Sequence, residues 1–306
     1  MKAYVLRRLW QSALTLWGVS LFVFVILRVL PGDPARMLLP DGAPESAVED
    51  LNRHLGLREP LAVQYALFLR SVFRGDFGQS FQYQAPALRV VVERLPATIQ
   101  LMLAAMALTV FLGVSIGILA AVRRGTPYDY GGTLVAVLGQ SLPNFWLGIM
   151  LILLFGVTLR WLPTSGFEGW RYLILPGITL AAFPTALVAR LTRSSMLEIL
   201  NRDFIRTGRA KGLAEPTVVL RHALRNAAIP VLTVIGLQIG TLLGGAVITE
   251  SVFAWPGMGK LIVDAIFFRD FPVVQTVLIL SATVFVVINL AVDLLYTVID
   301  PRIRYS

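Results

Sequence analysis

Six strongly apolar stretches divide the chain: Leu9 to Leu30, Thr98 to Val122, Thr133 to Leu159, Leu173 to Leu191, Ile229 to Ile248 and Val273 to Ile299. A helix rising 1.5 Å per residue needs about 20 such residues to cross a hydrocarbon core of about 30 Å, and each stretch is near or beyond that length. None alternates apolar and polar positions as a barrel strand must, which leaves helices as the spanning structure. The expected fold class is an all-α polytopic membrane protein with six transmembrane helices. Composition agrees: of 306 residues 56% are hydrophobic and 15% charged, with a mean hydropathy of +0.73.

Lys2, Arg7 and Arg8 precede the first stretch, but it is too long for the apolar region of a secretory signal. Pro31-Gly32-Asp33-Pro34 follows it where a small-x-small cleavage site would stand, so it is read as an uncleaved anchor. With the N-terminus inside, fifteen Lys and Arg from Lys2 to Arg304 fall at inner ends and loops. Only Arg160, Arg171, Lys260 and Arg269 fall in the two short outer loops. Positive-inside bias therefore predicts that both termini are cytoplasmic. The expected organisation is an N-terminus and first helix over 1–30, an extracytoplasmic segment over 31–97, a five-helix core over 98–299 and a tail over 300–306. The 31–97 segment reads as a small folded cap. It carries a helix from Ala47 to Leu55 before Gly56, and a second after Pro60 on which Leu61, Tyr65, Phe68, Leu69 and Val72 share a face. Gly75-Asp76-Phe77-Gly78 ends that pattern.

The net charge of +9 lies largely on the inner membrane face, so no nucleic-acid partner is expected. Cysteine is absent, which excludes thiol chemistry. Pro256-Gly257-Met258-Gly259-Lys260 has Ala254 where a phosphate-binding loop begins with Gly, and Leu261 follows the lysine, so no ATP or other cofactor is expected to bind this chain. Gly139-Gln140-Ser141-Leu142-Pro143 lacks the second glycine of a serine nucleophile elbow, and His54 and His222 fall on opposite sides of the membrane. No catalytic and no metal site is expected. Buried carboxylate relays of the kind that drive ion-coupled carriers are also missing. Arg28 and Asp293 lie near span ends, and the interior offers only Gln140, Asn144 and Gln238, the candidate lining of a wet, weakly polar path. Gly236, Gly240 and Gly244 repeat at the four-residue spacing that lets helices approach closely.

One segment departs from this apolar economy. Arg202 to Asn226 is polar and basic yet patterned, and it sits between the fourth and fifth stretches. Asp203 stands near its start and Arg209 and Lys211 near the end of its first part, the charge order that complements a helix dipole, and Gly212 is placed to stop that helix. Lipid contact needs neither the placed Gly212 nor Ile229-Pro230 at the start of the next helix. A soluble partner gripping the segment accounts for both.

The run Asp203 to Leu213, with Arg221-His222-Ala223-Leu224-Arg225-Asn226 and Ile229-Pro230, resembles the cytosolic "EAA" loop of ABC importer permeases, in the form typical of dipeptide and oligopeptide systems. The likeness extends to Pro31-Gly32-Asp33-Pro34, Gly75 to Gly78, Pro143-Asn144-Phe145-Trp146, Arg190 to Glu198, Glu250 to Gly259 and Asp293 to Arg304. It covers nearly the whole chain, and the long outer segment resembles the first of the two permeases such systems use. The resemblance implies the type I importer permease fold. It implies a coupling loop over 193–228 whose short helix, carrying Asp203, Arg206, Thr207, Gly208, Arg209, Ala210, Lys211 and Gly212, enters a groove on a cytosolic ATPase. The implied partners are a second permease, two ATPases that hold ATP and Mg, an extracytoplasmic binding protein and a peptide cargo, nickel and glutathione being carried on the same architecture. Where the general pattern has Glu-Ala-Ala, this chain has Arg206, Thr207 and Gly208, and the glycine costs about 1 kcal/mol of helix propensity. Trp255, Pro256 and Gly257 are the expected contacts for the binding protein. A self-sufficient channel or carrier is the competing class, and no inverted repeat supports it.

Overall fold

The computed structural model describes residues 2–29, 44–54 and 58–299. Pro31 to Pro34, Gly56 and Pro301 to Arg304 lie outside the described residues, as do the side chains of His54 and Asp293. Twelve helices are named here: α1 (Lys2–Val29), α2 (Glu45–His54), α3 (Leu61–Phe73), α4 (Ala87–Val122), α5 (Pro127–Ser141), α6 (Asn144–Leu151), α7 (Trp170–Leu200), α8 (Asp203–Ala210), α9 (Glu215–Thr217), α10 (Leu224–Val252), α11 (Met258–Phe267) and α12 (Phe271–Ile299). Wider π turns at Ile152–Thr158 and Val218–Ala223 continue α6 and join α9 to α10. Among the described residues five helices are long and apolar enough to cross a membrane, or six when α5 and α6 count as one span.

The sequence reads Thr133 to Leu159 as one straight span, and the structure breaks it. α5 and α6 meet at 109°. Pro143 has no amide hydrogen and forces Leu142 out of the helical region, to φ −83° and ψ 128°, so α5 stops there and α6 restarts at Asn144. α4 likewise departs from expectation. Its helix begins at Ala87, inside the segment expected to be cap, and carries Pro96 within it.

The chain forms two compact units. In the first, the two helices expected after the anchor are present as α2 and α3. Tyr65 and Phe68 of α3 pack on Phe24 of α1, with ring centroids 5.1 and 5.7 Å away, Tyr65 Oη lies 2.8 Å from Ser20 Oγ, and Arg28 Nε donates to Gln64 Oε1 at 2.7 Å. Asp270, fully buried, precedes α12 and accepts from Val273 N at 3.4 Å, from Ser80 Oγ and from Gln82 N at 3.2 Å. The turn after Gly78 is thereby fastened to the start of the last helix. Asp270→Ala strands those donors and is expected to destabilise this unit by about 2 kcal/mol, read as a lowered melting midpoint in detergent; an unchanged midpoint would refute the role.

The second unit is built around α7. Gly113 and Gly117 of α4 are buried because the α7 backbone lies against them: a Cβ on Gly117 would stand 2.7 Å from Ala189 O and 2.5 Å from Thr192 Cβ. The sequence assigns close packing to the glycines of the fifth span. Gly236 there is buried, whereas Gly244 has no atom within 4 Å of where a Cβ would stand; Gly113 and Gly117 of α4 make a close crossing that the spacing of the fifth span does not signal.

Candidate functional site

α8 is the short helix the sequence places after Arg202, and its limits follow from local chemistry. Arg202 is extended at φ −76° and ψ 150°, Asp203 lies in the first turn, and Gly212 takes φ +76°, the left-handed conformation that glycine adopts without the steric cost a Cβ brings. Only Ile205 of α8 is buried, at 1% exposure. It inserts among Ala121 of α4, Met196 of α7, Val218, Val219 and Ala223 of the π turn, and Ala227 of α10. Burying one isoleucine contributes about 2 kcal/mol. Eight residues cannot hold a helix alone, so α8 owes its shape to this anchor and moves with the ends of three long helices.

The rest of α8 faces outward. Phe204 is 47% exposed, and Arg206, Thr207, Arg209 and Lys211 are not buried. Arg209 forks onto Glu215 through Nε at 3.1 Å and Nη2 at 2.6 Å, and that hydrogen bond pushes the guanidinium above its ordinary pKa. Both side chains are about half exposed, so the pair contributes about 0.5 kcal/mol. Its use is geometric, since it fastens the end of α8 to the start of α9. Gly208 fits the helix, where a Cβ would only touch Leu213 Cδ1 at 3.5 Å, and it helps line a cleft of about 50 Å³ with Phe204, Leu213 and His222. Gly212→Asp adds a Cβ in the left-handed region, costing about 1 to 2 kcal/mol, and sets an anion at a helix C-terminus, where the dipole repels it.

The three candidate path residues do not form one set. Gln140 lines a cleft of about 200 Å³ between α4, α5 and α7, whose lining includes neither Asn144 nor Gln238. Asn144 is the first residue of α6, at the break of the third span. Gln238 is buried and its Oε1 accepts from Thr241 Oγ1 at 2.9 Å, the arrangement of a satisfied interior amide.

Trp255 and Gly257 correct the expectation of an exposed docking loop. Trp255 is 1% exposed, donates from Nε1 to Ala97 O at 2.9 Å and meets the Phe167 ring edge-on at 4.8 Å. Gly257 is buried and Pro256 half-buried. A residue the sequence reading left without a role organises this knot. Glu250, fully buried, accepts from Thr98 Oγ1 at 2.7 Å and Lys260 N at 3.0 Å, while Thr98 Oγ1 accepts from Met258 N at 2.8 Å. A lone Glu at the end of an apolar run, followed by glycines, was the available signal, because a buried carboxylate requires amide hydrogens close by.

A broken third span, long helices on both sides of it and a short surface helix docked between α7 and α10 define a polytopic helical membrane protein. The chain belongs to the family of binding-protein-dependent transport system inner membrane components, whose model matches residues 113–305; the N-terminal model of the same membrane components matches residues 1–102. It is 43% identical over 333 residues to a dipeptide transport system permease protein of Alkalihalophilus pseudofirmus, covering all of both chains. It is 44% identical over 314 residues to a putative peptide transport system permease protein of Brucella abortus, again over all of both, and 45% identical over 303 residues to a glutathione transport system permease protein of Salmonella choleraesuis, over 99% of each. The inward-facing MetNI methionine ABC transporter shares the fold, with a TM-score of 0.59 over 70% of this chain and 97% of that one at 19% identity.

Proposed function

We propose that this chain is the first of two permease subunits in an ATP-driven importer, that it forms half of the path for dipeptides or oligopeptides, and that α8 transmits ATPase movement to the spans. The observation that carries the reading is the docking of α8: one buried side chain ties an otherwise exposed helix to the ends of α4, α7 and α10. A partner that pushes on α8 thereby pushes on the spans. The peptide cargo is supported by relatives 43% and 44% identical over the full chain. Glutathione, itself a small peptide, is the second cargo reading, supported by a relative 45% identical. Both termini are assigned to the cytoplasm, so α8 meets two cytosolic ATPases and the opposite face meets an extracytoplasmic binding protein.

Mass spectrometry of the proteins that co-purify with the tagged chain from native membranes in mild detergent tests the assembly. Two phosphate-loop ATPases, a related permease and a binding protein are expected; the chain alone, under conditions that keep a control ABC complex whole, would overturn it. The segment over 31–97, on the same side of the membrane as Trp255 in this orientation, is also assigned as a contact for the binding protein. Deleting Asn52 to Arg74 is expected to abolish stimulation of ATPase activity by the loaded binding protein, and retained stimulation would reject that contact.

A further inference from the structure

The cleft between α4, α5 and α7 holds Gln140 alone of the three candidate path residues, and coupling does not account for the rest of its lining. Its walls are largely apolar, with Ile116 and Ala120 from α4, Ala136 and Val137 from α5 and Ala189 from α7, and Thr133 and Gln140 of α5 add its uncharged polar groups. At one end stand Arg190 and Arg193. Arg193 is spent on Asp129, which it grips through Nε at 2.6 Å and Nη2 at 2.9 Å. Arg190 is exposed and no acid or hydrogen-bond acceptor meets it among the described residues. Arg123 and Arg124, both exposed, follow α4 in the turn that leads to α5. Among the described residues these four guanidinium groups thus have one carboxylate, Asp129, between them.

Depth along α7 fixes where this end lies. Trp170, 73% exposed, opens α7 as an interfacial aromatic. Arg190 comes about 20 residues later, about 30 Å along the helix, which is the thickness of a hydrocarbon core. Tyr128 and Tyr130, 55% and 70% exposed, mark the same boundary at the start of α5, with the Arg123 guanidinium 5.3 Å from the Tyr128 ring centroid. An apolar groove that runs into the bilayer from a headgroup-level arginine matches an amphiphile with one anionic end. It does not match a zwitterionic peptide, whose path must be wet.

We propose that this cleft is a binding site for an anionic phospholipid of the inner leaflet, with acyl chain on Ile116, Ala136 and Val137 and phosphate on Arg190. A lipid seated there bridges α4, α5 and α7 next to the Asp129–Arg193 pair, so its headgroup influences the inner half of the broken span. The leaflet rests on the orientation proposed above; the selectivity for anionic lipid does not.

Native mass spectrometry of the detergent-purified full chain, titrated with phosphatidylglycerol or phosphatidylcholine of matched acyl chains, tests it. One tight phosphatidylglycerol adduct is expected, favoured about tenfold, the scale of one or two guanidinium groups at an anionic headgroup. Arg190→Gln, which removes the headgroup contact, and Val137→Trp, which fills the groove from an exposed position, should each erase the preference. Arg190→Lys should keep it, as should Arg171→Gln at the far end of α7, and melting midpoints should stay unchanged in all four. Equal binding of the two lipids, or a preference that survives both Arg190→Gln and Val137→Trp, overturns the site. Displacement of the adduct by dipeptide would assign the cleft to cargo, and its loss on assembly with a second permease would assign it to that interface, and either result also overturns the proposal. A single cysteine, Glu198→Cys in this cysteine-free chain, reads the orientation separately through an impermeant maleimide. Protection from that label supports the inner-leaflet assignment, and labelling from outside intact cells overturns it.

Discussion

Ile205→Asp is expected to abolish ATP-driven uptake while the chain still inserts in the membrane. The substitution removes about 2 kcal/mol of burial and asks a carboxylate to enter an apolar cluster, which costs several kcal/mol more. α8 has no side-chain cap of its own, so with its anchor lost the cheap response is local undocking, while the long helices keep their packing on α7. Co-purification of the ATPases should fall at least about tenfold, corresponding to about 1.4 kcal/mol or more of lost docking. Phe204→Ala, on the exposed face, should weaken the ATPase contact without undocking the helix, and Gly212→Asp should uncouple uptake from hydrolysis through the strained stop. If Ile205→Asp leaves co-purification and uptake intact, α8 is not the attachment point.

Gly257→Val is expected to destroy the knot at the far end of α10, with the larger loss of stability of the two. Even a single Cβ there would stand 2.2 Å from the Glu250 carboxylate, and a Cβ on neighbouring Gly259 would stand 2.5 Å from Val247 Cα. The carboxylate cannot retreat, because Thr98 and Lys260 hold it from both sides, so the loop must leave its seat and expose Trp255. A loss of about 3 to 5 kcal/mol follows for such a broken buried network. Glu250→Ala should cost less, since it strands hydrogens without adding bulk, and Ser251→Ala, at an exposed position, should be nearly neutral. Melting midpoints in detergent give the order; Gly257→Val at or above the midpoint of Ser251→Ala would reject the knot.

Much of this was legible in the chain because it rests on local rules. Apolar length set the spans, Gly212 and the charge order set α8, and Pro60 and the Leu61 to Val72 stripe set α3. The third span misled because its hydropathy is continuous while Pro143 breaks only the backbone, and a window of apolar residues does not register a missing amide hydrogen. Trp255 misled for a different reason. An aromatic beside Pro-Gly in an outer loop reads as a surface anchor, and its indole is buried only because Ala97 O and Phe167, far away in sequence, meet there.

By itself the sequence determined that this is a helical membrane protein with a short basic helix between its fourth and fifth apolar stretches, because spanning length, proline, glycine and dipole effects act within a few residues. Only the tertiary structure decided that Ile205 is the anchor of that helix, that Gly113 and Gly117 make a close crossing on α7, that Glu250 gathers Thr98 and Lys260, and that Arg190, with no acid partner among the described residues, stands at a largely apolar cleft. Each of these depends on at least one contact between residues far apart in the chain, such as Thr98 with Glu250, Ala121 with Ile205 or Gly117 with Thr192, and burial or pairing at such separations is set by how helices pack, which no local pattern records.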